Sequence, residues 1–137
     1  MAITLRATVD PMSQVLLLGL LPAVVPASAR PGMTEEQLAA RLDAEERKLR
    51  ELGFDARWCL LDLGETAEAV ATAALTTRRP DLVLIGAGVR ANPERFALFE
   101  KLVNLVHSLA PTAKICFNTR PDDTTEAVLR WIAAPSR

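Results

Sequence analysis

Four short apolar runs, each followed by a segment of helical character, constrain the fold of this chain more than any other feature. The runs lie near residues 14–20, 54–61, 82–86 and 114–118, and their apolar residues are nearly continuous rather than alternating. Strands that are buried on both faces, as in a parallel sheet covered by helices, have this pattern. The sequence therefore predicts an α/β fold with four parallel core strands.

The segments between these runs carry the signals of helix ends. Thr34 and Gln37 form a capping box, and Gly53 suits the position after the same helix. Glu65 and Glu126 each follow an aspartate by three residues, which indicates two further N-terminal caps. Helix starts are therefore predicted at Thr34, Asp62, Pro93 and Asp123.

Right-handed crossovers between parallel strands leave few topologies for this order of elements. We expect a three-layer, doubly wound sheet of the flavodoxin-like kind, with strand order 2-1-3-4. Residues 1–137 then form a single domain. Residues 3–9 alternate apolar and polar side chains, so residues 1–13 are predicted to be an N-terminal arm or an extra edge strand.

The two cysteines bear on the cellular compartment. Cys59 and Cys116 fall in the second and fourth predicted strands, about three spacings of 4.8 Å apart. A disulfide needs Cα atoms within about 7 Å, so both thiols are expected to be free and the protein cytoplasmic. A signal peptide over residues 15–29 is the alternative interpretation, but it is disfavoured by Asp10 before the apolar run and by prolines within it.

Composition disfavours several functional classes. The net charge of −1 argues against nucleic-acid binding, and the interrupted apolar run is too short to span a membrane. His107 is the only histidine and no CxxC pair occurs, so no metal site is expected. Neither a G-x-G-x-x-G sequence after the first strand nor a Walker A lysine is present, and no cofactor is predicted.

A ligand in such a sheet binds outside the carboxyl ends of the strands, where the strand order reverses. Here the reversal falls between the first and third strands, beside the loops 21–33, 86–93 and 118–123. Arginines on these loops and nearby helix N-termini suit a phosphate or carboxylate. The candidate ligand-binding residues are Ser28, Arg30, Thr34, Gly86, Gly88, Arg90, Asn92, Asn118, Thr119 and Arg120.

The helix predicted over residues 93–109 has an unusually wide apolar face, about half of its circumference. A wide contact with its own sheet is one explanation. The other is a homodimer in which the helix is buried from two sides. The candidate interface residues are Phe96, Leu98, Phe99, Leu102 and Leu105.

Three functions follow from these features as alternatives. The leading hypothesis is a non-catalytic domain that binds a small anion or nucleotide at the strand-order reversal. The second is a hydrolase or transferase acting on a phosphorylated or carboxylated molecule, with Arg30, Arg90 and Arg120 as clamps and no identifiable base. The third is a dimeric interaction module that uses the helix 93–109.

Residues 81–131, which include DLVLIGAGVR and AKICFNTRPDDT, resemble small bacterial α/β proteins. The resemblance covers under half of the chain and carries no catalytic motif. It implies the fold and no activity. The acidic residues and phosphoacceptor aspartate of a response-regulator receiver are replaced here by glycine, alanine and leucine.

Overall fold

A computed structural model describes residues 13–64 and 66–135 of the chain. The strands are β1 (Gln14–Leu20), β2 (Asp55–Leu61), β3 (Leu82–Ile85) and β4 (Lys114–Phe117). The α-helices are α1 (Glu35–Glu51), α2 (Ala67–Arg78), α3 (Ala87–Arg90), α4 (Phe96–Leu109) and α5 (Thr124–Leu129). The arm or edge strand predicted over residues 1–13 lies outside the described residues, apart from Ser13.

The strands form one parallel sheet in the order β2–β1–β3–β4. Leu17 of β1 lies beside Trp58 of β2 on one side and beside Leu84 of β3 on the other. β4 continues the sheet, with Cys116 beside Leu84. This is strand order 2-1-3-4, so the predicted doubly wound, flavodoxin-like α/β fold is confirmed.

The apolar runs supply two cores, one on each face of the sheet, because successive side chains of a strand point to opposite faces. Helices α2, α3 and α4 cover one face, and α1 and α5 cover the other. The first core includes Leu16, Leu18, Val83, Ile85, Ala71, Leu75, Leu102 and Val106. The second includes Val15, Leu17, Leu82, Leu84, Leu49, Phe54 and Val128. Burial on both faces explains the lack of alternation in the sequence.

The capping box of α1 is confirmed, but the cap predicted at Asp62 is wrong. α2 begins at Ala67 with Thr66 as its N-cap residue. The Asp62 carboxylate instead accepts hydrogen bonds from Gly64 N (3.1 Å) and Thr66 Oγ1 (2.8 Å). It therefore closes the turn before the helix, as aspartate commonly does. Glu65, the expected partner in that cap, lies outside the described residues.

The sequence pattern predicted that Asp123 caps the last helix, but the capping side chain comes from another helix. Asp123 occupies the N-cap position of α5 but makes no side-chain hydrogen bond to it. Glu45 of α1, which is 4% exposed, accepts a hydrogen bond from Thr125 N at 2.8 Å. Its other carboxylate oxygen pairs with Lys48 at 2.7 Å. A residue 80 positions away therefore supplies the anionic partner of this helix end.

The segment after β3 is more helical than predicted. Residues expected to form a loop make the single turn α3, and the helix predicted from Pro93 begins as a 3₁₀ turn, Pro93–Arg95. The Asn92 side chain accepts a hydrogen bond from Glu94 N at 2.9 Å and so caps this turn. The α-helical conformation begins at Phe96.

α4 uses most of its wide apolar face within the protomer. Leu102 and Val106 are buried against the sheet. Further half-buried residues pack on the same core, beside α2 and near the β4 edge. These are Leu98, Phe99, Val103 and Leu105. Phe96 is different, because 61% of it is exposed.

The outer edge of β2 is covered by side chains of α1. Arg50 Nε donates to the Ala56 carbonyl at 3.0 Å, and Glu46 Oε2 accepts from Trp58 N at 2.8 Å. These main-chain groups point away from β1, so they would otherwise form an open strand edge. Side chains of α1 therefore cap two main-chain groups of this sheet edge.

The outer edge of β4 is less protected. Lys114 N donates to Asp81 O, so by alternation the main-chain groups of Ile115 and Phe117 face outward. Arg130 Nη2 donates to the Phe117 carbonyl at 2.9 Å. Within the described part of the chain, the outward groups of Ile115 have no comparable side-chain cap.

Cys59 lies in β2 and Cys116 in β4, on the two opposite edge strands. Both are free thiols, as predicted from their separation. None of the helices within residues 13–64 and 66–135 has the length and apolarity needed to cross a bilayer.

Candidate functional site

A cleft of about 580 Å³ opens at the carboxyl ends of the strands, where β1 and β3 lie side by side. Its floor includes Gly19, the penultimate residue of β1, and Gly86, the residue after β3. The loop after β1, the start of α1, the segment around α3 and the loop after β4 form its walls. This is the position at which the sequence predicted a ligand site.

Eight of the predicted site residues line the cleft. They come from all three predicted loops and are Ser28, Arg30, Gly86, Gly88, Asn92, Asn118, Thr119 and Arg120. Thr34 and Arg90 are not among the lining residues. The Thr34 hydroxyl is occupied within the capping box, where it accepts from Gln37 N at 3.0 Å.

Arg90 has a structural partner instead of a place in the cleft. Its Nη2 donates to the Asn118 carbonyl at 2.7 Å, and its guanidinium lies 5.7 Å from the centroid of the Phe117 ring. Both contacts hold the end of β4 against α3. The role of anion clamp considered for Arg90 is therefore not supported by its position.

Asn118 lines the cleft, but both ends of its amide are already bonded. Its Oδ1 accepts from Ala87 N at 2.8 Å, and its Nδ2 donates to Thr124 Oγ1 at 2.9 Å. The side chain is 3% exposed. It therefore joins the starts of α3 and α5 and fixes the distance between two walls of the cleft.

The loop after β4 is held by Asp123. Its carboxylate accepts from the main-chain N–H of Thr119 (3.0 Å) and of Arg120 (3.2 Å), and from the Thr119 hydroxyl. Burial raises the pKa of Asp123, but these hydrogen bonds and the nearby Arg120 guanidinium outweigh burial and lower it overall. Arg120 is 3.7 Å from this carboxylate and keeps 62% of its side chain exposed at the cleft rim.

The loop after β1 is ordered by two 3₁₀ turns, Pro22–Val24 and Ala27–Ala29, and by Arg30. Arg30 Nε donates to Val25 O at 3.3 Å, and Nη1 donates to Met33 O. Part of its hydrogen-bonding capacity is thus used to hold the loop that forms this wall of the cleft.

The sequence prediction missed an apolar wall and one arginine. Leu38 and Leu42, on the first turns of α1, join Trp58 of β2 and Met33 in this wall. Arg95, in the turn before α4, also lines the cleft. Leu38 and Leu42 are four residues apart just after the capping box, so their nearness to the predicted start of this helix, at the carboxyl edge of the sheet, was the available signal.

Trp58 is fixed in the wall by two hydrogen bonds to α1. Its Nε1 donates to Leu42 O at 2.8 Å, and its main-chain N–H donates to Glu46 at 2.8 Å. The six-membered ring of the indole lies over Gly19, where a Cβ atom would be 2.9 Å from Cζ3. Glycine at position 19 therefore leaves the space that the indole occupies.

The charges that line the cleft are of one sign. Arg30, Arg95 and Arg120 are present, and the described lining residues include no Asp, Glu, His, Lys or Cys. No group of His, Cys, Asp and Glu able to hold a metal ion occurs among residues 13–64 and 66–135. The cleft thus offers cationic groups to an anion and apolar surface to the rest of a ligand.

Comparisons of the chain with protein-family models, curated proteins and solved structures give no match. This agrees with the sequence analysis, which identified no characterised family.

Proposed function

We propose that this protein is a non-catalytic domain that binds a small anionic ligand in the cleft at the carboxyl ends of β1 and β3. The observation that carries the proposal is the charge of the lining, with Arg30, Arg95 and Arg120 present and no carboxylate among the described lining residues. Guanidinium groups bind phosphate and carboxylate through paired hydrogen bonds.

The lining also favours binding over acid–base catalysis. Proton transfer needs a group such as histidine or a carboxylate close to the substrate, and the described lining residues provide neither. The hydroxyl of Thr119 donates to the Asp123 carboxylate, which has its own role in holding the loop. These contacts support a receptor site more than the hydrolase or transferase alternative.

The test is thermal unfolding with phosphate or sulfate against chloride at matched ionic strength. Binding to the native state stabilises it by RT ln(1 + [L]/Kd), about 2.7 kcal/mol at one hundred times Kd. Arg95→Ala and Arg120→Ala should each reduce this gain. Arg47→Ala is the matched control, because Arg47 is exposed on α1 and pairs with Asp43. Equal melting in all anions would overturn the proposal.

We also propose that the protein forms a homodimer through the β4 edge and the adjacent end of α4. The contrast between the two sheet edges supports this: Arg50 and Glu46 cap Ala56 O and Trp58 N of β2, whereas among the described residues no side chain caps the outward groups of Ile115. Beside this edge the rings of Phe99 and Phe117 are 5.9 Å apart, and Phe96 lies one helical turn from Phe99.

Light scattering at tens of micromolar tests the dimer. Phe96→Glu should give a folded monomer, since Phe96 is largely exposed, whereas Leu98→Glu should destabilise the fold because Leu98 packs on the core. Val70→Glu is the control, as Val70 is an exposed apolar residue on α2. A monomeric wild type, or a dimer that Phe96→Glu leaves intact, would contradict the proposal.

We propose a cytoplasmic location because both cysteines are free thiols. Cys59 and Cys116 are free, and a reducing compartment keeps such thiols reduced. Fractionation of cells followed by detection of the protein tests this, and recovery in a secreted fraction would contradict it.

A further inference from the structure

Two of the three cationic lining groups lie across the cleft from its apolar wall, and the third, Arg30, is bonded to Val25 O and Met33 O within the loop after β1. Leu38, Leu42 and Trp58 come from α1 and β2, on one side of β1. Arg95 and Arg120 come from the segments that follow β3 and β4, on the other side. A ligand that satisfies both sides must carry an apolar part and an anionic part at separate ends.

We propose that the ligand is an anion joined to a planar ring system, of the nucleoside monophosphate type, with the ring on the Trp58 side and the phosphate on the arginine side. This inference rests on the proposed anion-binding function and specifies its ligand class. It depends on the size, the shape and the rigidity of the cleft.

The size favours more than a simple ion. A volume of about 580 Å³ lies within the roughly 300–1,000 Å³ typical of pockets for small organic ligands. Inorganic phosphate would fill a small part of it and leave the leucine and tryptophan wall in contact with water. Covering this apolar surface adds to affinity, since removal of apolar area from water is favourable.

The shape favours a flat group. The floor is main chain at the adjacent ends of β1 and β3, where an ideal Cβ on Gly86 would be 3.3 Å from Leu18 O and 3.8 Å from the Cα of Gly19. At Gly19 this floor is covered by the six-membered ring of the Trp58 indole. The indole of Trp58 forms an adjacent flat wall. A planar ring can stack on this indole, as bases do on aromatic side chains elsewhere.

The wall is also rigid. The indole N–H is bonded to Leu42 O and the Trp58 main-chain N–H to Glu46, so the ring is held in place before a ligand arrives. A preorganised side chain loses little conformational entropy on binding. The ring of the ligand should therefore add measurably to affinity.

The sequence contains two tryptophans, Trp58 and Trp131. The experiment therefore uses the full chain with the substitution Trp131→Phe, so that all tryptophan fluorescence comes from Trp58. Adenosine monophosphate, ribose 5-phosphate, hexyl phosphate, adenosine and inorganic phosphate are titrated while Trp58 fluorescence and calorimetric heat are recorded. We expect adenosine monophosphate to bind about tenfold or more tightly than ribose 5-phosphate, consistent with base stacking, and to quench Trp58. Hexyl phosphate should bind more weakly than adenosine monophosphate.

Variants separate the two ends of the ligand. Trp58→Leu should remove the advantage of adenosine monophosphate over ribose 5-phosphate, and Trp58→Phe should retain most of it. Arg95→Ala should weaken both phosphates and leave adenosine unchanged, while Arg47→Ala should change none of the affinities. If Trp58→Leu does not fold, the relative affinities of the ligands for the Trp131→Phe protein still test whether the cleft binds a planar ring.

The outcomes distinguish the inference from the function on which it rests. Equal affinity for adenosine monophosphate, ribose 5-phosphate and inorganic phosphate, without quenching of Trp58, would overturn the inference that the cleft binds a ring. The proposed anion-binding function would still stand. If hexyl phosphate binds as tightly as adenosine monophosphate, any apolar group is sufficient beside the phosphate. That result would also overturn the inference of a planar ring. Failure of every phosphate to bind would overturn both proposals.

Discussion

Gly19 and Trp58 occupy complementary space at the carboxyl end of β1. A Cβ atom at position 19 would lie 2.9 Å from Cζ3 and 3.4 Å from Cε3 of the indole. The indole is held on its other side by the hydrogen bond from Nε1 to Leu42 O. Because Gly19 of β1 has no side chain, the indole of Trp58 on the neighbouring strand β2 can lie here and form a wall of the cleft.

Gly19→Ala should therefore destabilise the protein by about 1–3 kcal/mol, because the ring must shift or the strand must move. The free energy of unfolding from urea titration measures this, and the Trp58 emission of the Trp131→Phe background should change as well. Gly88→Ala is the control, since its Cβ would be 3.8 Å from the nearest atom, Leu20 Cδ1. Equal stability of the two variants would contradict the close contact.

Asn118→Ala should destabilise the fold by about 1–3 kcal/mol, since it leaves the half-buried Ala87 N–H and the buried Thr124 hydroxyl without this partner. Asn92→Ala removes a more exposed cap at Glu94 N and should cost about 1 kcal/mol or less. Urea titration of both variants gives the comparison. A smaller loss for Asn118→Ala than for Asn92→Ala would argue against the bridging role.

Asp123 should contribute to the pH dependence of stability. Burial raises its pKa, but hydrogen bonds from Thr119 and Arg120 and the Arg120 charge lower it overall. The folded pKa is below the unfolded one, so the contribution is present at neutral pH and is lost as the pH falls through the folded pKa, below about 4. Asp123→Asn should cost about 1–3 kcal/mol at pH 7 and much less in acid.

Urea titrations between pH 7 and pH 3 measure that difference. Asp43→Asn is the matched control, because Asp43 is exposed and pairs with Arg47 on the surface of α1, where such pairs contribute little. A constant difference between wild type and Asp123→Asn across this range would show that the carboxylate charge is not the source of the stabilisation.

The two thiols should react slowly and at different rates. Burial raises the pKa of Cys59 and, with the Arg130 charge opposing it, raises that of Cys116 to about 12. Few thiolates are therefore present at pH 8, and thiolate is the reactive form. A disulfide reagent should modify half-buried Cys59 before buried Cys116 in native protein and label both after denaturation. Two fast native thiols would contradict their burial.

The local sequence was sufficient for the architecture. Continuous apolar runs indicated strands covered on both faces, and the helices between them required parallel crossovers, so the order β2–β1–β3–β4 followed. The capping box at Thr34 was also predictable, because all of its contacts lie within three residues. The reversal of strand order then located the cleft before any side chain was placed.

The side chains that line that cleft are set by contacts between residues that are far apart in the sequence. Arg90 resembled a free loop arginine, yet Asn118, 28 residues away, accepts its hydrogen bond. Asp123 resembled a helix cap, but Glu45 of α1 takes that role. Trp58 packs on the core of its sheet face, and contacts with α1 and Gly19 also place it in the cleft wall.

The physical reason for this division is the range of the interactions. Hydrophobic periodicity and capping act over a few residues and can be read along the chain, so the sequence alone predicted the four strands, their order and the position of the cleft, but not the turn α3 or the start of α2. A polar side chain has several geometrically accessible partners, and only the packed sheet brings one of them within hydrogen-bonding distance. The tertiary structure therefore decided which arginines line the cleft and which main-chain groups of the sheet edges are bonded to side chains.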